Sequence, residues 1–247
     1  MERYKLVIAY NGKNFSGFQI QPEKITIQGE IERVLEFLLK EKIRIYGSGR
    51  TDAGVSALAQ VAHFDFDGKI NEKKIQDGLN ALLPEGIMIV SLSRGDDSFD
   101  ARFSAKKKTY RYHFYVSKYT HPLFDEFALR INDYADIELM KEACKFVVGT
   151  HDFESFVSKK SGKTDFVRTI YNADIVELEN GIYAFEITGN GFLYNMVRII
   201  FGTIVSAGYK KIKPSDIKNI IDGKKRALAG RTMPAKALLL KSVEYDF

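Results

Sequence analysis

The segment IRIYGSGRTDAGVSALAQVAHFDF, residues 43–66, reads as two strands joined by a glycine-rich loop. IRIYG (43–47) and QVAHFDF (60–66) alternate apolar and polar positions, as half-buried strands do. A plain turn between them would need Gly and Asp only for backbone geometry. Here Arg50 stands two residues from Asp52, so a guanidinium can pair with the carboxylate and keep it ionised where water is excluded. The flanking glycines let backbone or substrate come close to that carboxylate.

Upstream, YKLVIAY (4–10) is a β-branched and aromatic strand. Thr26 caps a helix with Ile27, Ile31, Val34, Leu35 and Leu38 on one face. Downstream, Asn71 opens a second helix with Ile75, Leu79 and Leu82 inward, and IMIVSLS (87–93) is the next strand. The order is β-α-β-β-α-β. The remainder repeats it with insertions. TYRYHFYVS (109–117) is a strand, and Asp136 caps a helix buried through Ile137, Met140, Cys144, Val147 and Val148. TIYNADIVELE (169–179) and IYAFEIT (182–188) pair around Glu179-Asn180-Gly181. FLYNMVRIIFGTIVSAGY (192–209) is a long apolar helix, Pro214 and Ser215 start a short one, and ALLLKSVEY (237–245) closes the chain. The expected architecture is α+β: two βαββαβ halves, residues 1–105 and 106–247, whose mixed or antiparallel sheets meet at a central cleft.

At 247 residues, 45% of them hydrophobic and 28% charged, the chain has an ordinary globular composition, which argues against disorder. A net charge of +5 makes a polyanion a plausible partner. The single cysteine, Cys144, forms no internal disulfide and suits a reducing compartment. The opening MERYKLVIAYNG lacks the apolar core of a signal peptide, and no apolar run has membrane-spanning length. A soluble cytoplasmic protein is expected.

Four chemistries compete for the polar motifs. His63, His113, His121 and His151 are scattered, and His151 with Glu154 makes only a loose pair, so no metal site is expected. GSG before Arg50 lacks the remainder of a P-loop or dinucleotide fingerprint, and Ser48 has no nucleophile elbow around it. FSAKKKTYRYHFY (103–115) interleaves bases with aromatics, the arrangement that stacks unpaired nucleobases and neutralises phosphates. Tyr112 and Phe114 suit a sheet core equally well, whereas Tyr110, just past Lys106, Lys107 and Lys108, is the better cleft residue. Arg198 lies in an apolar helix about two turns from its start. It either snorkels to the surface or pairs with Asp52.

Taken together, GFQIQP (17–22), GSGRTDAGVSALAQVAHF (47–64), LNALLPEGI (79–87), FDARFSAKKKTYRYHF (99–114), GTHDFESF (149–156), NGFLYNMVRIIFGT (190–203) and AGRTMPAKALLLKSVEY (229–245) resemble the TruA family of tRNA pseudouridine synthases. The resemblance implies two RNA-recognition-like, ferredoxin-like halves and no cofactor. It also implies a homodimer holding tRNA across both subunits, acting on uridines of the anticodon stem-loop. Residue by residue, it makes Asp52 the nucleophile and gives Arg50 the displacement of the target base. Tyr110 becomes the stacking tyrosine, Arg198 the ion-pair partner of the aspartate, and Leu238 the apolar wall of the pocket. Attack at C1′, addition to C6 of the base and removal of a sugar proton each require an ionised Asp52. Ser56 stands where the family usually has histidine, and Ala237 where glycine is common. The lysines at 106–108, 159–163, 210–213 and 224–226 are candidate phosphate contacts. Two alternatives remain at this point. One is a non-catalytic RNA-binding protein of two RNA-recognition-like folds, and the other a phosphate-binding hydrolase.

Overall fold

Strand β1 (Glu2–Tyr10) turns Tyr4, Leu6, Ile8 and Tyr10 inward and leaves alternate residues half-covered, the period of two that a half-buried strand requires. The computed structural model describes residues 1–158 and 165–246. Two units divide the chain: residues 1–106 with 239–247, and residues 107–238.

In the first unit, helix α1 (Ile27–Leu39) is capped by Thr26, whose hydroxyl accepts from Gly29 N at 3.2 Å, and it ends at left-handed Lys40. It buries Ile27, Ile31, Val34 and Leu35. Strand β2 covers only Tyr46–Gly47, shorter than the expected 43–47. The reason is local. Ile45 N donates to Glu32 Oε1 and Ile45 O accepts from Gln28 Nε2, so side chains of α1 satisfy this backbone in place of a neighbouring strand. β3 (Ser56–Phe66), α2 (Glu72–Leu82) and β4 (Ile87–Arg94) complete the unit. Asn71 caps α2 as expected, but the helix buries only Leu79; Ile75 is half-buried and Leu82 is 45% exposed. The strands β4, β1 and β3 are antiparallel neighbours, and β2 pairs antiparallel with β3, giving the split βαββαβ order. The chain's last strand, β10 (Leu238–Tyr245), runs parallel to β3, with Leu239 and Leu240 opposite Ser56 and Ala57.

In the second unit, β5 (Ala105–Val116), β9 (Ile182–Gly189), β8 (Val167–Glu177) and β7 (Gly149–Asp152) are successive antiparallel neighbours. The short β6 (Leu129–Ile131) runs parallel to β5. The β8–β9 hairpin turns where expected, with Asn180 and Gly181 at φ 59° and 74° and Leu178 N donating to Ile182 O at 2.7 Å. Helices α3 (Ile137–Lys145), α4 (Met196–Gly208) and α5 (Asp216–Asp222) complete the unit, and α3 packs on α4 and β8. Phe201 of α4 lies 4.5 Å from Tyr112, 5.2 Å from Phe114 and 5.4 Å from Phe185, ring centre to ring centre. Tyr112 and Phe114 are therefore core, with the Tyr112 hydroxyl satisfied by Pro234 O at 2.7 Å.

Two helices also differ in their bounds from the sequence reading. α3 stops at Lys145, so Val147 is buried beyond the helix and Val148 is 38% exposed. α4 starts at Met196 rather than 192, because Asn195 adopts φ 60°, ψ 5°, a left-handed conformation that ends any helical run through it. Arg198 is therefore in the first turn, not two turns in. Among the described residues no helix is long and apolar enough to cross a membrane.

Candidate functional site

Asp52 sits in the loop between β2 and β3, half-buried, with Arg50 beside it in sequence and exposed. The loop is shaped by backbone bonds and by glycines. Val55 N donates to Asp52 O at 3.1 Å, closing a turn through Gly54 at φ 80°. Phe18 N donates to Thr51 O at 3.1 Å, which ties the loop to the segment after β1. Gly17, at φ 93°, leaves no room for a side chain: a Cβ would lie 2.8 Å from Thr51 O and 3.2 Å from the Asp52 carbonyl carbon. Gly12 is tighter still, since its Cβ would meet Val55 O at 2.2 Å.

Buried polar contacts hold the same loop from below. The Tyr10 hydroxyl shares a 2.7 Å hydrogen bond with Thr51 Oγ1, and burial pushes its pKa well above the ordinary phenol value. Ser48 Oγ donates to Gln60 Oε1 at 2.6 Å, and Gln60 Nε2 donates to Gly49 O at 3.0 Å. Ser56 Oγ accepts from Gly12 N at 3.1 Å and so braces the loop. Tyr10, Gly12, Gly17 and Gln60 were not singled out in the sequence. The glycine of GFQIQP was the visible signal. Replacing Tyr10 by phenylalanine leaves Thr51 without this bond and is expected to cost about 1 kcal/mol. A thermal melt should then fall by about 2–4 °C; an unchanged melt would show that the bond does not brace the loop.

Arg198 is half-buried and held on two sides within its own unit. Its Nε donates to Met233 O at 2.6 Å, and its Nη1 donates to Asn195 Oδ1 at 2.6 Å. Asn195 Nδ2 in turn donates to Ser158 Oγ at 2.9 Å. The left-handed Asn195 thus sets both the start of α4 and the direction of the guanidinium. The extended segment before β10 lies against α4 so closely that a Cβ on Gly202 would be 2.0 Å from Arg231 O. Thr203 Oγ1 accepts from Gly230 N at 2.8 Å at the same crossing.

Tyr110 is half-buried, with its ring edge-on to Phe192 at 5.1 Å. Leu238, the first residue of β10, is buried, as is Ala237, whose carbonyl accepts from His113 N at 2.9 Å. Lys106 and Lys107 are exposed and Lys108 half-buried, all within β5. Lys106 Nζ is 3.4 Å from Asp246, and Lys107 Nζ lies 5.5 Å from the Tyr171 ring centre. In the other lysine groups, Lys210 faces Asp136 at 3.6 Å and Lys224 faces Asp152 at 2.7 Å. The group at 159–163 lies outside the described residues. His63 Nδ1 accepts from Ala101 N, and His151 Nε2 bonds Val148 O. Burial pushes the His113 pKa down to about 4, which keeps that ring neutral. Among the described residues no three His, Cys, Asp or Glu side chains are grouped to hold a metal ion.

A family model described as tRNA pseudouridine synthase matches residues 6–104 and 143–246. Tyr10, Gly12, Gly17, Asp52 and Gln60 fall in the first matched stretch, and Asn195, Arg198 and Met233 in the second. The chain is 46% identical over 246 residues to tRNA pseudouridine synthase A of Bacillus subtilis, covering 99% of each protein. It is 44% identical over 256 residues to the protein of the same name from Anoxybacillus flavithermus, covering 100% of each. On the full-length match and the shared model, this chain belongs to the tRNA pseudouridine synthase family.

Proposed function

We propose that the chain isomerises uridine to pseudouridine in the anticodon stem-loop of tRNA, with Asp52 as the nucleophile. The carrying observation is the Asp52 loop. Asp52 is half-buried in it, and the loop's backbone is held by Phe18 and Val55 and closed in by two glycines that admit no side chain. A catalytic group needs such pre-organisation, because a small displacement from productive geometry costs rate steeply.

The reaction breaks the N1–C1′ bond, turns the uracil, and joins C5 to C1′. The proton that leaves C5 is balanced by one gained at N1. No net oxidation occurs, so the balance calls for neither a redox partner nor a phosphoryl donor. The uridine has to leave its stack first, at a cost of a few kcal/mol. Arg50 fills the vacated space, Tyr110 stacks on the detached uracil, and Leu238 forms the opposite apolar wall. Arg198 supplies the positive charge that keeps Asp52 ionised. The exposed Lys106 and Lys107, with Lys108, bind phosphates. The enzyme works in the cytoplasm as a homodimer. These roles follow from the family's signature, carried onto the matching positions of this chain.

The test is pseudouridine mapping on unmodified tRNA incubated with the purified protein. Conversion is expected at uridines on the 3′ side of the anticodon arm. Affinity should fall at least about tenfold as salt rises from about 50 to 200 mM. No pseudouridine, or conversion confined to other regions of the tRNA, would overturn the reading.

A further inference from the structure

Residues 100–104 form a turn that is tied down by its backbone yet sends its central side chain into solvent. Asp100 Oδ1 accepts from the backbone N–H of Arg102 at 2.7 Å and of Phe103 at 2.8 Å. Ser104 Oγ accepts from Asp100 N at 3.1 Å, and Ser104 N donates back to Asp100 O at 2.9 Å. The approach to the turn is anchored too. Ala101 N donates to His63 Nδ1, Ala101 O accepts from the Tyr245 hydroxyl, and Phe99 O accepts from Arg3 Nη1 at 2.8 Å. Phe99 and Ala101 are buried beside Val61.

Out of this fixed frame projects Phe103, 81% exposed, with the Arg102 guanidinium 5.5 Å from its ring centre. Here two amide bonds to one carboxylate hold the backbone that points the ring outward. The Asp100 carboxylate is engaged by those amides, which leaves the Arg102 guanidinium as the charged group beside the ring. An exposed aromatic face with a guanidinium beside it matches an unpaired nucleobase with a flanking phosphate.

We propose that Phe103 is a stacking platform for an unpaired base of the RNA substrate, with Arg102 binding a phosphate beside it. This inference rests on the tRNA-modifying reading above and adds a contact outside the set of residues assigned to the reaction. A base stacks on any π-face, so the contact contributes affinity rather than sequence choice. The rigid turn lowers the ordering cost of making it.

The chain contains no tryptophan, so Phe103→Trp places a single fluorescent reporter at the platform. Titrating unmodified tRNA into that variant is expected to quench the indole saturably, with the affinity of the wild type. Phe103→Ala is expected to weaken tRNA binding about tenfold. That loss should appear in KM rather than kcat, with an unchanged thermal melt. Arg102→Ala should weaken binding less and flatten its salt dependence. The inference is overturned by an indole blind to saturating tRNA, alanine binding as tightly as phenylalanine, a loss in kcat alone, or a melt lowered enough to explain the loss. A reporter that responds to protein concentration instead of tRNA would assign the ring to a contact with a second copy, which also overturns it. If the wild type converts tRNA and the alanine variant matches it, only this inference fails. If the wild type neither binds nor converts tRNA, the proposed function fails first.

Discussion

Asp52→Asn is expected to reduce the single-turnover rate of pseudouridine formation by about 10⁴-fold or more, while tRNA affinity stays within about threefold. The substitution preserves shape and removes the negative charge. The bonds that shape the loop at this point use backbone atoms, Asp52 O accepting from Val55 N and Thr51 O from Phe18 N, so an amide side chain leaves them intact. The Tyr10–Thr51 bond beneath is equally untouched. A lost rate with a thermal melt equal to the wild type's reports chemistry rather than a collapsed loop. Two measurements check it. Release of tritium from tRNA labelled at C5 of uridine follows the proton that leaves C5, and filter binding follows affinity. Turnover by the asparagine variant at the wild-type rate would end the assignment of Asp52. A matching loss of affinity would mean that the carboxylate serves binding.

Gly202→Ala is expected to be the most destabilising single-methyl change in the second unit, costing about 3 kcal/mol and lowering the melting temperature by about 6–12 °C. The added Cβ would lie 2.0 Å from Arg231 O and 3.1 Å from Arg231 C. Both are backbone atoms, so no side chain can rotate away. The facing glycine has the same constraint, since a Cβ on Gly230 would meet Gly202 C at 2.6 Å. Relief requires the segment 229–233 to lift off α4. That movement breaks the bond from Gly230 N to Thr203 Oγ1 and strains the two bonds joining Arg198 and Met233. Activity at permissive temperature should fall as well, because Met233 O orients the guanidinium. Gly181→Ala is the matched control. Its φ is 74° but nothing lies within 4 Å of the added methyl, so only the left-handed strain of about 1–2 kcal/mol is expected. Equal losses in the two variants would show that the α4 crossing tolerates separation.

The periodic segments were legible because their signals are local. Alternating burial in β1, the Thr26, Asn71 and Asp136 caps and the Asn180-Gly181 turn depend on residues within a few positions of one another. The glycine-rich loop that carries Asp52 was legible too, since it falls between two strand-like segments. Where the reading slipped, a distant or side-chain partner had taken over. Strand β2 shrank because Glu32 and Gln28 occupy the backbone of Ile45, and α4 began late because Asn195 turned left-handed.

By itself, the sequence determined the order of the long strands and helices, because that order rests on spacing along the chain, and it carried the motifs that resemble the family. Tertiary structure alone decided which residues support them. Tyr10 meets Thr51, Gly12 meets Val55, Gly202 meets Arg231 and β10 meets β3 across separations of 27 residues or more. The same holds for Tyr112 and Phe114, which alternate with their neighbours as Tyr110 does but are buried against Phe201. A pattern of period two specifies which residues share a face of a strand, and only packing specifies which part of that face is covered.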